Sequence, residues 1–559
     1  MAKPESGSQN FLEILSTISS EVIMKKKLLV YSSLNISLKM IPLFIIWSLT
    51  ISIRTQAQTD KSLIQDSAQY TIPSWTLYKR ALISSNNNPS DKALRSLEPK
   101  SWPYDITMTI NGDPATRIGF TWFTNDGISG GMVKIISGTA NDTSAFTKPL
   151  YTLKATSEVV KNLNYCVASN NLFTLAGIPN NVKKSYTSNK VLATGLKPNT
   201  TYSFIIGKPG SWSKIGSFTT AKTTKEVFSF NYFTDPQANT DAMFDISQKT
   251  THAALKMYPD VNFFLTCGDL VQSSGSNNAE WEYEQFFSTQ QDIWYQKPLA
   301  PIIGNHDFST NKNFSYHFNT NNPSFDKKMA TVPGSVYSFV YGDALFMALD
   351  YEDYSVKGYL DSLTVWMRKE VSMHPDVKWR IAFYHKTLYT GSNSHQSDDD
   401  GRLIREKMGP LYDELKIDLA LQGHDHIYEV MGPIKNKVVV LNAVSKQTIV
   451  ARTSRDNVTG RLGGTFDVSN GTLFFLNNSS GKKKYEPRDS TAMEIEKTAT
   501  GLTGYFSYFT GRFGQTGEPT FSNISVSTDA IKVSTYSISD SGVATLFDTF
   551  DIVKRVPVR

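Results

Sequence analysis

Two stretches of the sequence decide the fold. They read Val227-Phe-Ser-Phe-Asn-Tyr-Phe-Thr-Asp235-Pro-Gln237 and Val261-Asn-Phe-Phe-Leu-Thr-Cys-Gly-Asp269. Each is an apolar run of strand length that ends in a polar turn containing a carboxylate. Residues 241–257, which lie between them, are predicted to form a helix. We therefore expect two parallel strands buried on both faces, because a crossover helix returns the chain to the same edge of the sheet.

The same alternation continues beyond these stretches and sets the expected domain order. Strand-like runs follow at 299–303, 344–349, 379–384, 419–421 and 438–441, so residues 225–450 are predicted to form one α/β domain. Residues 97–224 show short strands and turns, and Tyr202, which opens a strand after a Lys-Pro-Asn turn, is typical of immunoglobulin-like sandwiches. We expect a signal peptide or N-terminal extension at 1–57, a lead-in at 58–96 and a β-rich segment at 451–559.

The amino-acid composition excludes several classes of protein. The 559 residues are 40% hydrophobic and 19% charged, which excludes a disordered chain or a multi-span membrane protein. The formal net charge of +6 gives no reason to expect nucleic acid as a partner. Two cysteines exclude a disulfide framework and a zinc site built on thiolates, and Cys267, at the end of an apolar strand, is expected to pack in the core.

The N-terminus has the order of a secretory signal. Residues 41–53 are mostly apolar, four lysines precede them, and Thr55-Gln-Ala57 follows. We predict cleavage after Ala57, a secreted or periplasmic location, and no stable membrane span after cleavage. The alternative is an uncleaved membrane anchor, although the run is short for a bilayer.

Five polar motifs fall at or just after the ends of predicted strands. They are Asp235-Pro-Gln237, Gly268-Asp269, Gly304-Asn305-His306-Asp307, His385 and Gly423-His424-Asp425-His426. Because ligands of open α/β sheets gather at the carboxyl ends of strands, we expect these motifs to meet. Each motif alone is a common turn or a strand-end histidine. Their combination is specific, since four of the eight histidines of the chain lie in them.

Carboxylates, imidazoles and amide oxygens together suit divalent or trivalent metal ions. Asp269 can bridge two ions, one through each oxygen. We expect the first ion to bind Asp235, Asp269 and His426, with the amide oxygen of Gln237, and the second to bind Asp269, Asn305, His385 and His424. Two ions about 3.5–4 Å apart can share a hydroxide that attacks phosphorus. His306, next to a ligand, can stabilise the transferring group or protonate the leaving oxygen.

The order of these motifs resembles the calcineurin-like metallophosphoesterase superfamily. The stretches Thr109-Ile-Asn-Gly-Asp-Pro-Ala-Thr116 and Gly119-Phe-Thr-Trp122 are similar to the fibronectin-III-like N-terminal domain of purple acid phosphatases. The resemblance implies a β-sandwich beside a four-layer α/β/β/α domain, and a metal pair of iron with zinc, manganese or a second iron. It also implies that His306 contacts substrate and makes His395 a candidate proton donor, the alternative being a solvated loop histidine.

The chain departs from the family pattern at two positions. Purple acid phosphatases have a tyrosine three residues after the bridging aspartate, where this chain has Gln272, so the tyrosinate colour is not expected. Gln237 stands where relatives have histidine or glycine, and a neutral amide is the weaker ligand. Both departures bear on which metals bind.

The sequence thus predicts an exported hydrolase of phosphate monoesters that takes a small phosphorylated substrate. Two alternatives stay open. One is a phosphodiesterase or nucleotidase of the same superfamily, and the other is a secreted binding protein without activity. The oligomeric state is not predicted.

Overall fold

The computed structural model describes residues 102–125, 127–166, 182–272, 280–308, 312–320, 322, 325, 329–395, 398–440, 458–459, 463–487 and 509–555. The expected signal peptide and lead-in lie outside the described residues. Within the described part, no helix has both the length and the apolar character that crossing a membrane requires.

The N-terminal region is built from strands. They are β1 (Tyr104–Thr109), β2 (Ile118–Asn125), β3 (Met132–Ser137), β4 (Tyr151–Lys154), β5 (Thr156–Cys166), β6 (Val182–Ala193), β7 (Thr201–Lys208), β8 (Ser211–Trp212) and β9 (Gly216–Thr219), with a 3-10 helix at Thr143–Thr147. One sheet has the order β1-β2-β6-β5, and the other has β4-β3-β7-β8 with β9 beside β7. Phe120 and Trp122 of the first sheet share a buried core with Val133 and Phe204 of the second.

The predicted tyrosine corner is present. The Tyr202 hydroxyl accepts a hydrogen bond of 2.9 Å from the backbone N–H of Lys197, five residues upstream. Because Tyr202 is buried in the core shared by both sheets, the bond fixes the turn that leads into β7.

The central region alternates strands and helices. Its strands are β10 (Phe228–Phe233), β11 (Phe263–Thr266), β12 (Leu299–Ala300), β13 (Tyr337–Tyr341), β14 (Ala344–Leu349), β15 (Trp379–Tyr384), β16 (Leu419–Gln422), β17 (Tyr428–Lys435) and β18 (Val438–Val439). Its helices are α1 (Asp241–Met257), α2 (Glu280–Thr289), α3 (Gln291–Trp294), α4 (Asn313–His317), α5 (Tyr359–Met373) and α6 (Asp399–Leu415). Thr240 caps α1, since its hydroxyl accepts a hydrogen bond from the N–H of Met243.

The C-terminal strands complete the sheets of the central region. They are β19 (Val458–Thr459), β20 (Thr465–Asp467), β21 (Thr472–Asn477), β22 (Phe509–Gly514), β23 (Thr520–Val526), β24 (Ala530–Ile538) and β25 (Ala544–Val553). Among the described residues, one sheet has the order β20-β25-β24-β23-β10-β11-β12-β1-β2-β6-β5 and another has β13-β14-β15-β16-β21-β17-β22-β19. Strands β23, β24 and β25 pair antiparallel in succession and so form a β-meander.

Three buried cores follow the two faces of these sheets. The largest contains Phe230 and Leu265 from one sheet together with Phe346 and Ile381 from the other. Alternate residues of the same strands face the opposite way, as the two-residue period of a strand requires. On those outer faces, helices α1 and α2 pack against β10 and β11, and helices α5 and α6 pack against β14 and β15.

The strand, helix, strand prediction is confirmed. Strands β10 and β11 pair in parallel, and β14, β15, β16 and β21 form a second parallel set. The strand predicted at 299–303 was too long, because β12 has two residues and ends before Pro301, which has no N–H to donate. The strand predicted at 438–441 is limited to Val438–Val439 among the described residues.

Candidate metal centre

The predicted ligands lie directly after strands that run in parallel. Asp235 follows β10, Asp269 follows β11, His385 follows β15, and His424 follows β16. Parallel strands place their carboxyl ends at one edge of a sheet, and the two sheets bring their edges together here. All four of these side chains are buried.

One half of the cluster forms around Asp235. The Nε2 atom of His426 lies 3.4 Å from Oδ1 of Asp235. The backbone N–H of His424 lies 3.0 Å and 3.1 Å from the two oxygens of the same carboxylate. The loop after β16 is therefore held against the loop after β10.

The other half forms around His385. Its Nε2 atom lies 2.9 Å from Oδ1 of Asn305, 3.3 Å from Oδ1 of Asp269 and 3.1 Å from Nδ1 of His424. Gln237 joins the two halves, because its amide nitrogen donates to Oδ2 of Asp269 at 3.2 Å. The structure thus brings together all seven side chains that the sequence predicts as ligands.

The backbone at the cluster adopts conformations that side chains disfavour. The φ angles are 52° at Asp235, 38° at Gln237, 50° at Asp269 and 74° at His424. Non-glycine residues in this region cost on the order of 1–3 kcal/mol each, and they persist where the surrounding structure over-determines them. Such a concentration of strain is typical of a functional site.

The pKa shifts at the cluster have two physical causes. Burial lowers the pKa of His385, but the charges of Asp269, Asp235 and Glu352 outweigh burial and raise it to about 10. Burial also opposes ionisation of Asp269, yet the charge and hydrogen bond of His385, with His306, lower the pKa of that carboxyl. Burial and the nearby charge of His385 hold the pKa of His424 well below its usual value, so its imidazole is neutral and can offer a lone pair.

The donor set fits metal ions. Three buried atoms of the cluster have no hydrogen-bond partner within the described residues. They are the two ring nitrogens of His426 and Oε1 of Gln237. Leaving such atoms unpaired costs about 1–3 kcal/mol each, whereas a cation would use their lone pairs. The Nδ1 atom of His385 lies 2.8 Å from the carbonyl oxygen of Cys267, which turns Nε2 toward the cluster as second-shell bonds do for metal-ligating histidines.

Two further histidines lie at the rim, and both are half-buried. The Nδ1 atom of His306 lies 2.6 Å from the carbonyl oxygen of Gln272, and its backbone N–H donates to Oδ1 of Asp269 at 2.8 Å. The ring centre of His395 lies 3.9 Å from that of His424, and its Nδ1 lies 2.8 Å from Oδ2 of Asp398. Both histidines therefore face the same cluster.

The sequence did not predict two residues at this rim, Tyr485 and Lys483. The ring of Tyr485 stacks on that of His426, with centres 4.4 Å apart. Lys483 is half-buried between the exposed Lys482 and Lys484, and the charges of Asp269 and Asp235 act on it. Tyr389 and Tyr428, which lie close to ligands in sequence, are buried, and Cys267 is buried as expected.

Comparison with protein families gives two matches. Residues 103–220 match the purple acid phosphatase N-terminal domain, and residues 233–428 match the calcineurin-like phosphoesterase domain. Together the matches span more than half of the 559 residues. The chain is therefore a purple acid phosphatase-like protein, with several domains built mostly from sheet, one of which matches the calcineurin-like phosphoesterase domain.

Individual relatives agree with this assignment. Probable purple acid phosphatase 20 of Arabidopsis thaliana is 25% identical over 43% of this chain and 55% of its own length. Purple acid phosphatase 23 of the same plant is 23% identical over 60% of this chain and 76% of its own length. The chain thus spans about half the length of the first of these relatives.

A solved structure shares the fold. Purple acid phosphatase PPD1 from yellow lupin (Lupinus luteus) seeds superimposes with a TM-score of 0.58 at 16% identity, covering 81% of this chain and 75% of that one. The family implies a pair of metal ions.

Proposed function

We propose that this protein hydrolyses phosphate monoesters with two metal ions held by Asp235, Gln237, Asp269, Asn305, His385, His424 and His426. The observation that carries the proposal is that these seven side chains lie together in one cluster. Within it, the ring nitrogens of His426 and Oε1 of Gln237 are buried without a hydrogen-bond partner and are available as metal ligands. A binding protein without activity would have no need for so strained and polar a cluster.

The residues of the chain have separable tasks in this proposal. When bound, the two ions would lower the pKa of water toward neutrality and neutralise charge on the phosphoryl group. Asp269 offers its two oxygens to opposite sides, Oδ1 toward His385 and Oδ2 toward Gln237. The Gln272 carbonyl holds Nδ1 of His306, which leaves Nε2 of His306 for a phosphoryl oxygen. His395, held by Asp398, is the candidate donor of a proton to the leaving alcohol.

The metals are proposed to be iron paired with zinc, manganese or a second iron. The position three residues after Asp269 is Gln272, which offers no phenolate to ferric iron. The amide of Gln237 would bind its ion more weakly than an imidazole would. Both features support a protein without the tyrosinate colour and with one site that loses its ion more readily.

The finer architecture is part of the same proposal. The buried core shared by the two N-terminal sheets supports a fibronectin-III-like sandwich over 97–224. The three cores of the remaining chain support an α/β/β/α arrangement over 225–450, closed by strands from 451–559. Export through residues 1–57 stays a prediction, which N-terminal sequencing of the mature protein would test.

Hydrolysis of p-nitrophenyl phosphate and of bis-p-nitrophenyl phosphate tests the activity. Purified protein loaded with iron, zinc or manganese should hydrolyse the monoester, and chelation should abolish turnover. Asp269→Ala should lose both metals by elemental analysis, because that side chain serves both ions. His306→Ala should keep the metals and lower turnover, by about 10²–10⁴-fold if it acts as an acid.

The outcomes separate the alternatives. A larger kcat/KM for the diester would favour a phosphodiesterase. Full metal content without turnover on either substrate would favour the binding protein. An Asp269→Ala variant that keeps both metals would refute the bridging role.

A further inference from the structure

The segment that follows β21 crosses the rim of the candidate metal centre. Besides stacking on His426, the ring of Tyr485 lies 5.5 Å from the ring of His395. The backbone N–H of Tyr485 donates to the carbonyl oxygen of His426 at 3.2 Å. The segment 481–487 therefore lies against both the cluster and the candidate proton donor.

This segment is fixed at both ends. At its start, a Cβ on Gly481 would lie 2.1 Å from the carbonyl oxygen of Pro236, so the chain passes directly over the loop after β10. At its end, the N–H of Asn393 donates to the carbonyl oxygen of Glu486 at 3.0 Å, and Ser392 forms an isolated antiparallel bridge with Pro487. The side chains of the segment thus have a defined direction relative to the site.

Burial alternates along the segment. Lys482, Lys484 and Glu486 are exposed, whereas Lys483 and Tyr485 are half-buried. Lys483 lies between Gly481, which passes over Pro236, and Tyr485, whose ring rests on His426. Since it shares the partial burial of Tyr485, we place its side chain on the side of the cluster.

Carboxylates of the cluster act on the charge of Lys483. Burial lowers the pKa of Lys483, and the negative charges of Asp269, Asp235 and Glu282 oppose that shift. Two metal ions bound to Asp235 and Asp269 would neutralise this attraction. A half-buried ammonium beside two cations then requires an anion, and a phosphoryl group at the ions would supply one.

We propose that Lys483 is a specificity-determining residue, whose ammonium binds the non-bridging oxygens of a dianionic phosphoryl group and so favours monoesters over diesters. The inference rests on the proposed phosphatase function. A phosphate monoester carries a charge of about −1.5 to −2 at neutral pH, as phosphorylated side chains do. A diester keeps one negative charge and has one fewer free oxygen, so the same ammonium stabilises it less.

The run of three lysines supplies matched variants. Lys483→Gln should lower kcat/KM for p-nitrophenyl phosphate by roughly ten- to hundred-fold, the range for a lost hydrogen bond to a charged group. The value for bis-p-nitrophenyl phosphate should fall by a smaller factor. Lys482→Gln and Lys484→Gln remove the same charge from exposed neighbours and should leave both values within about twofold.

Binding of inorganic phosphate gives a readout independent of turnover. Calorimetry on the metal-loaded protein should show the dissociation constant for phosphate raised in Lys483→Gln, unchanged in Lys482→Gln, and partly restored in Lys483→Arg, with equal metal content in all. If Lys483→Gln matches its neighbours in both assays while the wild type is active, the inference is overturned and the phosphatase function stands. If the wild type hydrolyses neither ester, the proposed phosphatase function is refuted, and the inference that rests on it is refuted with it.

Discussion

At the scale of single residues, glycine in the motifs is a steric requirement. A Cβ on Gly304 would lie 2.3 Å from Oδ1 of Asp269 and 2.9 Å from Nδ1 of His385. A Cβ on Gly423 would lie 2.4 Å from the carbonyl oxygen of Cys267 and 2.8 Å from the same His385 nitrogen. Neither glycine has a left-handed φ, so the backbone conformation does not demand it. Glycine is required at both positions because the loops approach each other too closely to leave space for a Cβ atom.

We predict that Gly304→Ala reduces metal content and turnover together. The added methyl group must displace Asp269 or its backbone, and overpacking of this kind typically costs about 1–3 kcal/mol. Elemental analysis and p-nitrophenyl phosphate hydrolysis would measure both effects. Gly409→Ala in α6 is the control, because its Cβ would have open space as far as the Tyr389 hydroxyl at 4.0 Å and alanine favours a helix. Unchanged metal content in Gly304→Ala would contradict the steric argument.

The predicted ligands could be found from sequence because each follows a strand that its own residues define. The motif order fixes which strand ends meet, and the structure brings those side chains together. Lys483 and Tyr485 could not be found in the same way. They lie in a segment without a motif, and only its path over Pro236 decides which of three adjacent lysines faces the cluster.

At the scale of elements, prediction succeeded where the pattern was long. The predicted bounds of α1, β14 and β15 match those observed, since each is an uninterrupted periodic run. Prediction failed where hydrogen bonding to a neighbouring strand sets the length of a strand. Strand β12 ends before a proline, although Ile302 and Ile303, which follow, are buried. An apolar run in the sequence predicts that residues are buried, but it does not predict which neighbouring strand forms hydrogen bonds with them.

Helices α1 and α3 are joined by an ion pair that titrates. The Nε2 atom of His252 lies 3.0 Å and 3.1 Å from the two oxygens of Asp292, and Nδ1 lies 2.7 Å from the carbonyl oxygen of Gln248. Burial lowers the pKa of His252, but these acceptors outweigh it and the net shift is upward. The pair therefore stabilises the folded state fully below the unfolded pKa of about 6.5 and loses that effect as pH rises through the higher folded pKa.

We predict that Asp292→Asn lowers the free energy of unfolding more at about pH 5.5 than at about pH 9. Both side chains are partly exposed, so the difference should be on the order of 0.2–1 kcal/mol. Denaturant titration at both pH values measures it. In a His252→Gln background the pH dependence of the Asp292→Asn effect should vanish. Its persistence there would show that another group titrates.

At the scale of the whole molecule, the N-terminal strands extend a sheet of the central region. Strand β1 pairs in parallel with β12 at Thr109 and Leu299, which places β1-β2-β6-β5 in the same sheet as β10 and β11. The pairing is short, and side chains extend it. The Oε1 atom of Gln291 accepts from the N–H of Ile106 at 3.0 Å, and its Nε2 donates to the carbonyl oxygen of Ile106 at 2.7 Å.

A sheet shared in this way makes the two regions one unfolding unit, and Gln291 tests it. Gln291→Met keeps the volume but leaves two backbone groups of Ile106 unpaired, at a cost of about 1–3 kcal/mol each. We expect calorimetry of the wild type to show one transition, and the variant to unfold in one transition at lower temperature. Gln296→Met is the matched control, because that side chain is exposed and donates only to the carbonyl oxygen of Asp292. Two transitions in the wild type would show instead that the N-terminal strands and the central sheets unfold independently. Equal melting temperatures for the two variants would show that the hydrogen bonds of Gln291 do not stabilise the junction.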